Sequence, residues 1–223
     1  MYLVFDVNET LLDTAALDPL FSRRFGDAAL RPMWFLTLQE AWMTTTLTDR
    51  FEPFATLARR ALRQLGAARG IEVTAADEEE LVERVLTMPA HAGAAETLER
   101  LGREGHTLTA LTNSALDAAR DQLTQAGLIA HFDAVLSVES VSRYKPDPAP
   151  YRHAADHWGV TTEAMVMIAA HGWDLLGANA AGMKTAFIAR PGKAMDSDVE
   201  GVPDWRDDDL ERLMRRVVTE SRE

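Results

Sequence analysis

Five short apolar runs constrain this chain more than any other feature: Met1 to Phe5, Thr107 to Leu111, Ala134 to Val138, Met165 to Ala169 and Thr185 to Ala189. Strands buried on both faces read as continuous apolar stretches, and helical stretches between them are what crossovers in a parallel sheet require. The pattern therefore predicts an α/β fold with a doubly wound parallel sheet. It is interrupted once. From Leu17 to about Met88 only helical periodicity is found, with Phe51, Phe54, Leu57, Ala58, Leu62 and Leu65 on one face and Gly66 and Gly70 near that helix's end. At 223 residues the chain is long for one minimal domain and short for two, which favours a core carrying an insertion. The expected division is a core of residues 1–14 and 90–223 and an inserted helical cap of residues 15–89.

Local signals place the helices. Ser114 is the expected cap of a helix running to Gln125, with Gly127 just beyond, and Asp147-Pro148 opens another that ends near Trp158-Gly159. The acidic run Asp77 to Glu80 reads as the solvated start of a cap helix. On this layout Asp6, Thr112, Lys145 and the segment Ala169 to Asp174 all lie at or just past strand ends. Ligands of open parallel sheets bind outside those carboxyl ends, so separate segments converge on one crevice, roofed by the helical insertion.

Charge and composition remove several function classes. With 23 Lys and Arg against 35 Asp and Glu, the net charge of -12 repels a phosphate backbone, so no nucleic-acid partner is expected. The absence of cysteine excludes disulfides, thiolate metal sites and a cysteine nucleophile, and fits a reducing compartment. The N-terminal run is broken by Asp6, Asn8 and Glu9 far short of a signal or membrane segment, which makes a cytoplasmic location without membrane partners the expectation.

The chemistry is carried by four segments in a fixed order. Phe5-Asp6-Val7-Asn8-Glu9-Thr10 delivers a carboxylate at a strand tip; Leu111-Thr112-Asn113-Ser114, Tyr144-Lys145-Pro146-Asp147 and Ala170-His171-Gly172-Trp173-Asp174 follow. This ordered set resembles the haloacid dehalogenase superfamily, and more narrowly its type II L-2-haloacid dehalogenases, over essentially the whole chain, including Pro203-Asp204-Trp205. The resemblance implies an α/β core of that superfamily with a helical cap, Asp6 as nucleophile, Thr112 and Asn113 as a hydroxyl and amide pair, Lys145 as the balancing charge and Asp174 as a supporting acid. It also implies no metal or other cofactor, and homodimerisation. A nucleophilic carboxylate must be ionised and aimed, tasks for Lys145 and the Thr10 hydroxyl.

Position 8 separates the branches of the superfamily. Phosphatases resembling this chain carry there an aspartate that protonates the leaving alcohol; an amide, as in Asn8, cannot do so, whereas a halide leaves without protonation. The commoner type II dehalogenases have tyrosine where Asn8 stands, glycine where Glu9 stands, and Ser-Asn where Ala170-His171 stands. The last two departures are linked if Glu9 orients a His171 imidazole that activates the hydrolytic water, a pattern resembling that of a minority subgroup.

For substrate binding, the expected residues are Asn8, Arg31, Trp34, Thr112, Asn113, Tyr151 and Trp173. Arg31 matches the family arginine that engages halide or carboxylate with a guanidinium fork; Trp34, Phe35 and Trp173 are candidates for an apolar wall, with plain core packing as the alternative; Tyr151 matches a pocket tyrosine. The expected reaction is hydrolysis of a small anionic 2-haloacid to the 2-hydroxy acid. Two rivals stand beside it: a magnesium-dependent phosphatase using Asp6, Asp174 and a backbone carbonyl near residue 8, ligands that are formally present, and a binding protein that keeps the fold without turnover.

Overall fold

The computed structural model describes residues 1–195 and 202–221. Its sheet has six parallel strands in the order β3-β2-β1-β4-β5-β6. These are β1 (Tyr2–Phe5), β2 (Thr107–Thr112), β3 (Ala134–Ser137), β4 (Met165–Ala169), β5 (Lys184–Ile188) and β6 (Trp205–Asp207). The five apolar runs supply β1 to β5. The sixth strand is an addition: in three residues, only Trp205 is apolar, too little for periodicity to register.

Both faces of the sheet are covered, as the continuous apolar runs require. Leu3, Phe5, Leu108, Ala110, Val166 and Ile168 belong to one buried cluster, and Val4, Leu111, Met165, Met167 and Ala169 to another. A two-residue alternation along each strand sends neighbouring side chains to opposite faces. Because β1 lies between β2 and β4, the chain winds outward in one direction and then in the other, and the reversal falls at β1/β4. Asp6 follows β1 at this switch point, its N–H donating to the Ile168 carbonyl at 3.0 Å.

The insertion holds α1 (Asp18–Phe25), α2 (Leu30–Leu47), α3 (Phe54–Arg69) and α4 (Ala75–Leu86). It leaves and rejoins the core through adjacent backbone, with Asp13 N–H donating to the Pro89 carbonyl and His91 N–H to the Leu11 carbonyl, both at 2.8 Å. Gly66 lies in the last turn of α3, and Gly70 follows as its cap. A Cβ on Gly66 would come within 2.6 Å of the Ile71 carbonyl oxygen and of Val73, so glycine is needed for the chain to turn back after Gly70. The acidic run does open α4, with Glu79 exposed, but Asp77 is buried as the third residue of the helix, in a reciprocal capping box with Thr74 and paired with Arg24 at 3.1 Å.

The remaining helices, α5 (Ala94–Arg103), α6 (Leu116–Gln125), α7 (Pro148–Trp158), α8 (Gly172–Ala180) and α9 (Leu210–Glu220), belong to the crossovers and the C-terminal end. Asp147 caps α7 through the Ala149 N–H as expected. Ser114 does not cap α6. The N-cap is Ala115, and the free Leu116 N–H is taken by Glu139 from the segment after β3 at 2.9 Å. No helix among the described residues is long and apolar enough to cross a membrane.

Candidate active site

Asp6 is buried at the tip of β1, and three side chains fix its carboxylate. Lys145 Nζ donates to Oδ1 at 2.8 Å, Thr10 Oγ1 donates to Oδ2 at 2.7 Å, and His171 Nδ1 lies 3.3 Å from Oδ2. Thr10 is itself aimed by the Ala170 N–H, which donates to its oxygen at 2.9 Å and so ties the loop after β1 to the end of β4. Burial pushes the Asp6 carboxyl up, but the Lys145 charge and the His171 hydrogen bond outweigh it and hold the group below the usual carboxylate range. An ionised, dry and directed carboxylate is what attack on carbon requires.

Lys145 is wholly buried and uses its three ammonium donors on Asp6, on the Leu111 carbonyl at 2.9 Å and on Asp174 Oδ2 at 2.6 Å. Burial lowers its affinity for the proton, yet Asp174 and Asp6 more than restore it, so it stays charged. Asp174 sits in the first turn of α8, where the helix dipole favours a negative group. Tyr151 donates to its Oδ1 at 2.6 Å. This packing depends on Gly177, since a Cβ there would lie 2.5 Å from Pro146 and 2.7 Å from the Tyr151 hydroxyl.

His171 and Glu9 meet. His171 Nε2 is 2.7 Å from Glu9 Oε2, so the imidazole spans the two carboxylates of Glu9 and Asp6. Carboxylates only accept hydrogen bonds, which makes both ring nitrogens donors and the free-enzyme ring an imidazolium. Burial opposes that charge, but the hydrogen bonds to Asp6 and Glu9 prevail and raise the His171 pKa. The ring is sandwiched between Phe35 of α2, at 5.5 Å and 17°, and Trp173, at 5.1 Å and 27°. Beside it opens a cleft of about 330 Å³ lined by Phe35, His171, Trp173 and Lys193 among others.

Glu9 occupies a left-handed backbone conformation with φ 63°. Such a conformation costs a non-glycine residue on the order of 1 kcal/mol or more and persists where the surroundings impose it. Four residues that the sequence does not single out do part of that work. Thr14 donates to Glu9 Oε1 at 3.0 Å, Lys193 reaches Oε2 at 2.5 Å, His91 Nε2 is 3.2 Å from the Glu9 carbonyl, and Arg190 Nη2 donates to the Thr10 carbonyl at 2.9 Å. Burial pushes the Glu9 carboxyl up, whereas His171 and Lys193 bring it down to about 2.

Several expected substrate contacts are placed otherwise. Arg31 reaches Glu9 at 3.5 Å and is held by Asp18 at 2.6 Å and Thr14 at 2.8 Å. Trp34 is cap core, its indole N–H donating to the Ala58 carbonyl at 3.0 Å. Tyr151 is fully buried behind Asp174 and supports that acid. The Asn8 amide is held at both ends, donating to Ser114 at 3.2 Å and accepting from Gln122 at 3.1 Å. Thr112 accepts from the Ser114 N–H at 3.1 Å. Asn113 accepts from the Lys145 N–H at 3.0 Å, leaving its Nδ2, like Trp173 Nε1, buried without a hydrogen-bond partner among the described residues.

The two carboxylates that the metal-dependent rival would use are hydrogen-bonded within the site. Lys145 links Asp6 and Asp174, and Thr10, His171 and Tyr151 take the remaining carboxylate oxygens. Among the described residues no group of three His, Cys, Asp or Glu has an arrangement that could hold a metal ion.

Comparison with known proteins agrees with this geometry. A family profile described as haloacid dehalogenase-like hydrolase matches residues 1–182. The chain belongs to the haloacid dehalogenase-like hydrolases. Within curated members of that family it is similar to the (S)-2-haloacid dehalogenase 4A of Burkholderia cepacia, 31% identical over 196 residues that cover 85% of this chain and 83% of the relative. It is also similar to the (S)-2-haloacid dehalogenase of Pseudomonas sp. (strain YL), 26% identical over 221 residues, 97% of this chain and 94% of the relative. A crystal structure of an L-2-haloacid dehalogenase superposes with a TM-score of 0.92 at 26% identity, covering 98% of both chains. The doubly wound parallel sheet expected from the strand pattern, and the haloacid dehalogenase-like fold that the resemblance implies, are thus the fold of this protein.

Proposed function

We propose that this hydrolase removes halide from small 2-haloalkanoic acids, converting an L-2-haloacid to a D-2-hydroxy acid through an ester on Asp6. The observation that carries the reading is the row Glu9, His171, Asp6, in which one imidazole lies 2.7 Å from one carboxylate and 3.3 Å from the nucleophile. The Asp6 oxygen forms a bond to the substrate C2 as the carbon–halogen bond breaks, the halide leaving with the electron pair and the centre inverting. The new ester is neutral, so His171 gives its proton to solvent. The imidazole then takes a proton from water, hydroxide adds to the Asp6 carboxyl carbon, and the ester bond breaks with the alcohol oxygen taking a proton back. Asp6 regains its charge and His171 its second proton.

Asn113 Nδ2 and Trp173 Nε1, two buried donors without partners among the described residues, support reception of the substrate carboxylate and the departing halide. With its amide held by Ser114 and Gln122, Asn8 supplies no acid for an alcohol leaving group. In this reading the substrate is a small anion, residues 15–89 act as the cap, the protein is cytoplasmic, and a homodimer forms through the apolar surface of α2, where Leu36 and Leu47 are exposed.

The test is halide release from L- and D-2-chloropropionate and bromoacetate with a chelator present, for wild type and Asp6→Ala. Release from the L-isomer and from bromoacetate that survives chelation and vanishes without Asp6 is expected. No halide from any of them, with phosphate freed from phosphoesters once magnesium is restored, means that the phosphatase reading replaces this one.

A further inference from the structure

The segment after β5 sends one side chain back into the site. Lys193 extends over the face of Phe35, its ammonium 5.3 Å from the ring centroid, and ends 2.5 Å from Glu9 Oε2, the oxygen that also meets His171 Nε2 at 2.7 Å. One carboxylate oxygen thus serves the ammonium and the imidazole together. The Lys193 side chain is 24% exposed, at the margin of the cleft beside His171.

Counting fixed charges around His171 shows what this contact does. Asp6, Glu9, Asp174 and Asp18 are negative; Lys145, Arg31 and Lys193 are positive. Phe35 and Trp173 cover the two faces of the ring and carry no charge. Beyond the Glu9 backbone, Arg190 faces Asp13 and Asp209 in addition to His91. In the free enzyme a protonated His171 brings the inner set to neutrality. When Asp6 becomes a neutral ester, the same set is neutral with His171 unprotonated, the form that can accept a proton from water. Without Lys193 the set would remain negative at that stage and hold the proton on the ring.

We infer that Lys193 is a positioning residue of the second half-reaction: by sharing Glu9 with His171 it lets the imidazole release its proton once Asp6 is esterified. The inference rests on the reading of Glu9 and His171 as the water-activating pair. Lys193 does not meet Asp6, so the first half-reaction proceeds without it.

The experiment is a single-turnover reaction with L-2-chloropropionate, following halide release and, by intact mass, decay of the Asp6 ester as a function of pH, for wild type, Lys193→Gln, Lys193→Arg and His171→Ala. In Lys193→Gln, halide release stays near the wild-type rate, while the pH at which ester decay is half-maximal moves upward by about one unit, slowing decay on the acid side about tenfold. Lys193→Arg restores the wild-type profile. A Lys193→Gln profile that superimposes on wild type, or a loss that strikes halide release and ester decay equally at every pH, overturns the inference. His171→Ala separates the two readings. If it accumulates ester while Lys193→Gln keeps the wild-type profile, only the role of Lys193 falls; if His171→Ala hydrolyses ester at the wild-type rate, the pair itself falls and Lys193 with it.

Discussion

The two ends of the site are built in different ways. Around Asp6, the partners come from the segments after β1 and β4 and from the segment that leads into α7, all in the core, and the side chains of Lys145 and Asp174 are fully buried. Around Glu9, besides the shared His171, the partners arrive from the loop after β1, from α2 in the insertion, from His91 where the insertion ends and from the segment after β5, with Arg31 and Lys193 left 18% and 24% exposed. The difference follows the chemistry assigned to each end. Attack on carbon gains from charges that are dry and immovable, because a fixed field in a low-dielectric site needs no rearrangement as the reaction proceeds. Hydrolysis of the ester must admit water and let a proton come and go, so its charges border a cleft.

Substitutions on the two sides sharpen that contrast, and the largest effect belongs to the core. Lys145→Met removes three ammonium hydrogen bonds and leaves Asp6 and Asp174 facing each other without compensation. Breaking a buried ion pair in this way costs about 3–5 kcal/mol, and urea unfolding will show the loss together with abolished halide release. A midpoint unchanged from wild type would mean that the core end is not the rigid one.

An intermediate effect is expected at Glu9. With its pKa brought from 4.5 to about 2, the carboxylate contributes stability that is fully present above pH 4.5 and is lost as the pH falls towards 2. Relative to Glu9→Gln, that contribution is roughly 3 kcal/mol near neutrality. Unfolding curves of the two proteins should therefore differ at pH 7 and converge across this acid window. Part of the difference is offset if the amide relaxes the left-handed backbone, and a gap that persists unchanged at pH 2 contradicts the assigned charge. The smallest effect is expected for Tyr151→Phe, which removes one hydroxyl shared between the Asp174 carboxylate and its backbone carbonyl and should cost about 1–2 kcal/mol with only a modest fall in halide release. Loss of activity comparable to that of Lys145→Met would place Tyr151 at the reacting atoms, where the geometry does not put it.

The same division explains what the sequence discloses. Asp6, Thr10, Lys145 and Asp174 follow apolar strands or open helices, and residues at strand ends of a parallel sheet are brought together by topology alone. The Glu9 and His171 pair is legible because both flank those motifs. Lys193, His91 and Arg190 are not, since their partners are 82 to 184 positions away and no periodicity links them. His91 rejoins the core where the insertion ends, and the left-handed φ that makes Glu9 unusual is a property of the folded loop. Arg31 illustrates the reverse case. A guanidinium matched by resemblance to an anion site is taken by a nearer carboxylate, Asp18, at the start of α1. Ser114 likewise has a helix-capping residue type, but Glu139 from another segment reaches the free N–H instead.

The central claim is that Asp6 becomes esterified and that water attacks its carboxyl carbon. One turnover with enzyme in excess over L-2-chloropropionate, run in water labelled with heavy oxygen, tests it directly. The account predicts a first-turnover hydroxy acid carrying an unlabelled oxygen from Asp6, with the label recovered in the peptide that contains Asp6. Label in the product of that first turnover, with Asp6 unlabelled, would mean that water displaces the halide directly and that no ester forms.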